Sequence, residues 1–352
     1  MNDSSWGAHR PGPAYGEAEG AQARYAPSAP PMPQHPGGPV PGPVPGPVPD
    51  GPSGTRPSPA GATAVTATAP PPAGRRPPSR RIRAGRDLGA AIGVGVGLGA
   101  LVIASLFVLK AVFVAVVAAA VGIGLWELSS RFSERKGIRI PLVPSLAGGT
   151  VMLLAGYVQG AGAAWAATAF TVLAVLVGRM ARPPENYLKD VTAGVFAVFY
   201  VPFLATFVVL MLAADDGPWR VLVFILLTVV SDTGAYAVGY RFGKRKLAPR
   251  ISPGKTRAGL VGAVLFAMAA GALAMQFLID GGRWWQGLLL GLAVAATATL
   301  GDLGESMIKR DLGIKDMGTL LPGHGGIMDR LDSLLPTAPV VWLLLVVFVG
   351  PG

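Results

Sequence analysis

The sequence predicts an all-α polytopic membrane protein, with about nine transmembrane helices after a disordered N-terminal tail rich in proline and glycine. Three observations support this fold class. The 352-residue chain is 51% hydrophobic and only 14% charged, which is a membrane composition. From Asp87 onward, apolar runs recur at close to the length that spans a bilayer. Residues 1–86 differ from the rest because proline, glycine and alanine dominate them.

The predicted tail, residues 1–86, repeats Gly-Pro-Val from Gly38, Gly42 and Gly46. Such a segment buries too little apolar surface to offset its chain entropy, so we expect it to be disordered. Residues 87–352 then form the membrane domain. The chain has no cysteine, which excludes disulfides, zinc–thiolate sites and thiol nucleophiles.

Nine apolar runs are candidate membrane spans, and the last is the shortest. They cover about 87–109, 111–129, 140–160, 163–180, 190–213, 218–240, 259–279, 285–308 and 336–350. Only Lys110 separates the first two, which predicts a tight helical hairpin. Pro202 lies inside the fifth run and should kink that helix, because proline donates no backbone hydrogen bond.

The distribution of basic residues predicts the topology. With a cytoplasmic tail and nine spans, every Lys and Arg except Lys110, Arg220 and Arg283 lies on the inner side. This bias explains the formal charge of +11 without a nucleic-acid partner. It also places the polar loops at the cytoplasm. The high Ala, Gly and Arg content is typical of a GC-rich bacterium, so we expect a multi-pass protein of the bacterial plasma membrane.

One polar segment, residues 306–332, interrupts the apolar body near the end of the chain. Acidic and basic side chains alternate along it, with glycines between them. Carboxylates suit a divalent cation, basic groups suit phosphate, and glycines let the backbone approach a ligand closely. The alternative for this segment is a plain charged loop between two helices.

Acidic residues also lie inside predicted spans, where each costs about 2.5–3.5 kcal/mol by insertion scales. Asp232 shares a helix face with Tyr236, four residues later. Asp302, Glu305 and Lys309, together with Ser306, form one polar stripe on the eighth span, and the stripe runs into segment 306–332. The alternative for each acid alone is a helix end near the lipid headgroups.

A basic loop follows the sixth span and contains Gly254, Lys255 and Thr256. This triplet resembles the end of a phosphate-binding P-loop, but the required first glycine is replaced by Pro249 and no strand precedes it. We therefore reject a P-loop. A topology signal that contacts anionic lipid is the other interpretation of this loop.

The two polar segments together resemble the phosphatidate cytidylyltransferase (CDP-diacylglycerol synthase) family. The family signature reads roughly S-x-x-K-R-x-x-x-x-K-D-x-x-x-x-x-P-x-H-G-G-x-x-D-R-x-D. The positions that match it are Ser306, Lys309, Arg310, Lys315, Asp316, Pro322, His324, Gly325, Gly326, Asp329, Arg330 and Asp332. A second family element matches at Asp232, Ala235, Tyr236, Gly239, Ser252, Pro253, Lys255 and Thr256. Relatives usually continue this element with Trp-Glu-Gly, whereas this chain has Arg257, Ala258 and Gly259.

The resemblance implies transfer of a cytidylyl group from CTP to phosphatidate, with Mg²⁺ and one or two cation sites. Four residues are assigned to catalysis: Asp302, Asp329, Lys309 and Arg330. The predicted metal ligands are Asp302 and Asp329, completed by Asp332, Asp316 or Asp232. The predicted substrate-binding residues are Lys255, Ser252, Arg310, Lys315, His324, Gly325 and Gly326.

Two other functions stay open at the level of sequence. A transporter would use Asp232, Asp302 and Glu305 as a cation path, although no inverted repeat is visible. A lipid or polyprenol kinase would use the same nucleotide but transfer its γ-phosphate. A CDP-alcohol phosphotransferase is disfavoured because its motif is absent. The Gly/Ala-rich spans are compatible with a homodimer and equally with helix packing inside one chain.

Overall fold

Helices form almost all of the described structure. The computed structural model describes residues 84–320 and 325–352, so the predicted tail lies outside the described residues up to position 83. The elements are α1 (Ala84–Val108), α2 (Lys110–Lys136), α3 (Leu142–Gln159), α4 (Ala161–Met180), α5 (Tyr187–Val198), a π-helical turn (Phe199–Phe203), α6 (Leu204–Ala213), α7 (Gly217–Phe242), β1 (Lys246–Ala248), β2 (Ser252–Thr256), α8 (Arg257–Leu278), α9 (Trp284–Asp311), α10 (Met328–Leu331) and α11 (Leu334–Val349).

The prediction of a polytopic all-α membrane protein is confirmed. Within the described residues, eight helical segments are long and apolar enough to cross a membrane, and Gly95–Val108 of α1 is a shorter apolar stretch. These nine correspond in order to the nine predicted spans. The last span is longer than predicted, because α10 extends it back to Met328 and gives 22 residues.

The fifth span contains Pro202 in a π-helical turn, at the position where the sequence predicts a kink. Helices α5 and α6 belong to one apolar segment, and the π-helical turn that joins them contains the proline. Proline lacks a backbone N–H and its ring crowds the preceding turn, so the regular α-helical hydrogen bonds cannot pass through it. A wider turn is one way to accommodate this break.

Helix α8 packs closely against both α7 and α9 through glycines. A Cβ atom on Gly287 of α9 would overlap the backbone of Gly271 in α8. On the other side of α8, a Cβ on Gly262 would lie 2.6 Å from the carbonyl oxygen of Gly234 in α7. These contacts hold α7, α8 and α9 together as a unit, and the polar ends of α7 and α9 thereby become neighbours.

A short antiparallel hairpin, β1–β2, connects α7 to α8, so a strand does precede Pro249, contrary to the prediction from sequence. Lys246 pairs with Thr256 and Ala248 pairs with Ser252. The Thr256 hydroxyl caps α8 by accepting a hydrogen bond from the Gly259 N–H at 3.0 Å. The hairpin therefore lies at a fixed position beside the ends of α7 and α9.

Cations predicted for the outer side form contacts at one end of the helices. Lys110 Nζ donates to the carbonyl oxygen of Ala214 at 2.7 Å, in the turn between α6 and α7. Arg220 donates to the carbonyl oxygen of Gly350 at 2.8 Å, just after α11. The hairpin and the segment between α9 and α10 lie at the other end, which is where most of the basic residues are.

Candidate active site

A cavity of about 660 Å³ lies where α7, the hairpin, α9 and α10 meet. This volume is within the usual range of small-molecule sites. Its polar lining combines four carboxylates with basic side chains. Glycines also line it, so backbone atoms form part of the cavity surface. The residues that carry this chemistry are Asp232, Asp302, Asp329, Asp332, Lys246, Lys255, Arg330, Gly239, Gly254 and Gly259.

Asp302 and Lys255 form an ion pair across this cavity. Lys255 Nζ lies 2.7 Å from Asp302 Oδ2, and both side chains are partly exposed to the cavity. The other carboxylate oxygen of Asp302 accepts a hydrogen bond from the Ser306 hydroxyl at 3.2 Å. The pair links β2 to α9, so the two polar segments singled out in the sequence meet here.

Ser333 joins two further carboxylates of the cavity. Its hydroxyl donates to Asp232 Oδ2 at 3.2 Å, and its backbone N–H donates to Asp332 Oδ1 at 2.7 Å. Gly301 lets α9 pack closely against the backbone of Asp332, because a Cβ on Gly301 would lie 2.5 Å from the carbonyl oxygen of Asp332. The start of α11 thus brings Asp332 towards Asp232 and α9.

Asp329 organises the backbone of the loop between α9 and α10. Its carboxylate is 7% exposed and accepts hydrogen bonds from the N–H groups of Met317 at 3.0 Å and Gly326 at 2.8 Å. Lys309 Nζ contacts the same carboxylate at 3.1 Å and Glu305 Oε2 at 2.6 Å. As a metal ligand, Asp329 would have to exchange some of these contacts for the metal.

Glu127 is a site residue that the sequence analysis missed. It lies on α2, is 2% exposed, and accepts a hydrogen bond from the Met328 N–H at 2.9 Å. Its carboxylate packs against the backbone of Gly318 and Gly326, so it supports the same loop as Asp329. An acid within an apolar span was the available signal, the same signal that led to Asp232 and Asp302.

Arg131, one helical turn after Glu127, also holds the loop. Its Nε donates to the carbonyl oxygen of Met317 at 2.7 Å. Lys136, at the end of α2, lies 3.0 Å from Asp311 at the end of α9. Helix α2 therefore contacts segment 306–332 through the side chains of Glu127, Arg131 and Lys136, although it contributes no residue to the matched motif.

The structure brings some predicted site residues into the cavity and leaves others outside it. Those that line the cavity are Asp232, Lys255, Asp302, Asp329, Arg330 and Asp332. Three more contact Asp329 without lining the cavity: Lys309, Gly325 and Gly326. Ser252, Arg310, Lys315 and Asp316 do not line it, and Arg310 instead donates to the carbonyl oxygen of Ile251 at 3.1 Å. His324 lies outside the described residues.

The donor set of the cavity fits a magnesium ion. Within the described part of the chain, no three Asp, Glu or His side chains lie close enough together to form a complete metal site. Mg²⁺ does not require one, because it usually binds one or two carboxylates, keeps several waters and takes its other ligands from substrate phosphates. The carboxylates of Asp302, Asp332 and Asp232 are oxygen donors of the required kind.

Fold and site together define a polytopic membrane protein with a cavity of carboxylates and cations at one end of its helices. The model of the cytidylyltransferase family matches residues 90–348, and the chain belongs to that family. It is 40% identical to the phosphatidate cytidylyltransferase of Mycobacterium bovis over 284 residues, covering 77% of this chain and 92% of that protein. It is also 40% identical to the phosphatidate cytidylyltransferase of Mycobacterium leprae, covering 75% and 89%. The phosphatidate cytidylyltransferase of Haemophilus influenzae is 35% identical over 48% of this chain and 52% of that protein.

Proposed function

We propose that this protein transfers the cytidylyl group of CTP to phosphatidate, giving CDP-diacylglycerol and pyrophosphate. The observation that carries the proposal is the cavity in which Lys255, Arg330 and four aspartates meet at one end of the membrane helices. Membership of the cytidylyltransferase family supports the same reaction. A phosphatidate oxygen attacks the α-phosphorus of CTP, and the bond from that phosphorus to the β-phosphate bridging oxygen breaks.

The reaction needs positioning and charge neutralisation more than a strong base, because a phosphatidate phosphate is already substantially ionised near neutral pH. Lys255 and Arg330 are placed to bind phosphate oxygens at the cavity. Asp302 orients Lys255 through their ion pair. Lys309 and Asp329 hold the loop that leads into α10, which carries Arg330. Lys255 and Arg330 therefore contribute to binding, and Asp302, Lys309 and Asp329 contribute to position.

Asp302, Asp332 and Asp232 are our proposed magnesium ligands, and Asp329 joins them if its loop contacts rearrange. When bound, the ion would neutralise the triphosphate and stabilise the departing pyrophosphate. We propose that the protein lies in the bacterial plasma membrane, with the cavity on the cytoplasmic side. The position of the basic residues and the bacterial relatives support this location. The cytoplasmic tail, a second cation and a homodimer also stay predictions. The close glycine contacts of α8 are already used within one chain.

The test is an assay in detergent micelles with phosphatidate, Mg²⁺ and labelled CTP, for the wild type, Asp302→Asn and Asp329→Asn. We expect labelled CDP-diacylglycerol from the wild type alone, with both variants inserted and monodisperse. Asn at position 329 would place an amide NH₂ where one carboxylate oxygen now accepts hydrogen bonds from N–H groups, so it would lose some of these bonds. Wild-type turnover in both variants would refute the assigned roles.

The products also separate the other functions. CDP together with a phosphorylated lipid would indicate a kinase. Untouched CTP in the presence of folded protein would favour a transporter, in which the same acids serve a cation path.

A further inference from the structure

A second polar cavity, of about 430 Å³, lies outside the candidate active site. Two loops form it: the one between α2 and α3, and the one between α4 and α5. Its lining residues are Gly137, Arg139, Arg179, Arg182, Pro183, Glu185, Asn186 and Asp190, and none of them lines the first cavity. Lys189, beside this cavity, donates to the carbonyl oxygen of Lys136 at 2.8 Å. Since Lys136 contacts Asp311, both cavities lie at the same end of the helices.

A buried ion pair fixes the shape of this second cavity. Arg179 and Asp190 are 4% and 2% exposed, and Arg179 Nε lies 2.8 Å from Asp190 Oδ2. The other oxygen of Asp190 accepts the Arg139 N–H at 2.8 Å, which holds the first loop. The remaining guanidinium nitrogens of Arg179 donate to the carbonyl oxygens of Pro183 at 2.8 Å and Glu185 at 2.7 Å, which holds the second loop.

The organised loops present two exposed arginines. Arg139 and Arg182 line the cavity, and within the described residues neither side chain makes an ion pair or a hydrogen bond. Arg179 and Asp190 neutralise one another, so Glu185 is the only acid that opposes these two cations among the lining residues. The cavity therefore carries a net positive charge and suits an anion.

An apolar groove of about 990 Å³ adjoins this cavity and shares Asn186 with it. Its apolar lining residues include Ile138, Tyr187, Leu188 and Phe196, and Leu188 is 76% exposed. An exposed apolar surface on membrane helices faces lipid tails rather than water. A cationic cavity at the helix ends, continuous with an apolar groove along the helices, matches an anionic head joined to an acyl chain.

We propose that this surface binds an anionic glycerophospholipid, with its phosphate against Arg139 and Arg182 and an acyl chain in the groove. The site is separate from the cavity assigned to catalysis, so it does not depend on the proposed reaction. A free phosphate would use the arginines but gain nothing from the groove, and a zwitterionic lipid would fill the groove with a headgroup of no net charge. The anionic lipid alone uses both parts.

The experiment measures lipids bound to the full chain by native mass spectrometry, after incubation in neutral detergent with equal amounts of phosphatidylglycerol and phosphatidylcholine and no CTP. We expect a preference for phosphatidylglycerol. Arg139→Gln and Arg182→Gln should each lower the bound ratio about fivefold, which is the usual effect of one basic residue near an anionic lipid surface. The double variant should lower it about 25-fold.

Two control variants make the result specific. Arg135→Gln removes an exposed arginine of α2 that lines neither cavity, and it should leave the ratio unchanged. Lys255→Gln changes the candidate active site, and the losses caused by Arg139→Gln and Arg182→Gln should persist in its background. An equal loss in Arg135→Gln, or an unaltered ratio in the double variant, would overturn the proposal. Displacement of the lipid by millimolar glycerol phosphate would overturn the role of the groove.

Discussion

Replacing Glu127 tests whether α2 positions the loop of the candidate active site. Glu127→Ala removes the acceptor of the Met328 N–H and leaves that buried donor unsatisfied, which costs about 1–3 kcal/mol. Met328 is directly followed by Asp329, so the loss acts at the residue that holds the loop. If the whole cost appears in the transition state, kcat/KM falls about 5- to 160-fold.

Steady-state assays of CDP-diacylglycerol formation, with CTP and phosphatidate varied in turn, measure this effect. Glu127→Gln is the matched variant, because an amide oxygen can still accept the Met328 N–H. We expect Glu127→Gln to retain most of the activity and Glu127→Ala to lose it mainly in kcat, in addition to any loss of thermal stability. A lower melting temperature of Glu127→Ala with unchanged kcat and KM would refute the positioning role.

Gly318→Ala approaches the same contact from the loop. A Cβ on Gly318 would overlap the Glu127 carboxylate, so we expect the alanine variant to lose activity in the wild-type background. Glu127→Ala removes that overlap, so the double variant should lose less activity than the two single losses combined. Strictly additive losses would show that the two residues act independently and would contradict the contact.

Three other perturbations have outcomes that the structure defines. Lys255→Met removes a phosphate-binding cation and should lower kcat/KM about 10- to 160-fold, measured in the same assay; unchanged kinetics would exclude Lys255 from substrate binding. Arg179→Met leaves Asp190 buried without its partner, which should cost about 3–5 kcal/mol in unfolding experiments; restored stability is expected when Asp190→Leu is added. Removing divalent cations with a chelator should abolish turnover, and added Mg²⁺ should restore it; activity in the chelator would exclude the magnesium role.

The fold was largely predictable because each span carries its own hydrophobic signal. All nine predicted runs correspond to helices, and the interruption at Pro202 follows from its missing backbone donor. The start of the last span was predicted too late, because Asp329, Arg330 and Asp332 made the sequence before it look like a loop. Local hydropathy cannot show that polar residues of this kind continue a helix.

The site was only partly predictable, because sequence spacing does not show what lies between distant segments. The periodicity of α9 placed Asp302 and Lys309 on one stripe, and the structure joins them to Lys255 and Asp329. Glu127 was missed, since it contacts Met328 from 201 positions away in the chain. Lys315 matches the motif but lies outside the cavity, and no local pattern separates it from Arg330.

The contacts of α2 imply that the motif is not an autonomous catalytic unit. The segment between α9 and α10 is rich in glycine, so by itself it would lose considerable conformational entropy on adopting one structure. Asp329 binds its backbone from α10, and Glu127 and Arg131 bind it from α2. The N-terminal half of the membrane domain therefore contributes to the site through side chains of α2 that contact the backbone of this segment. A chain that keeps every residue of 306–332 but loses the polar residues of α2 should insert into the membrane and yet lack an ordered catalytic loop.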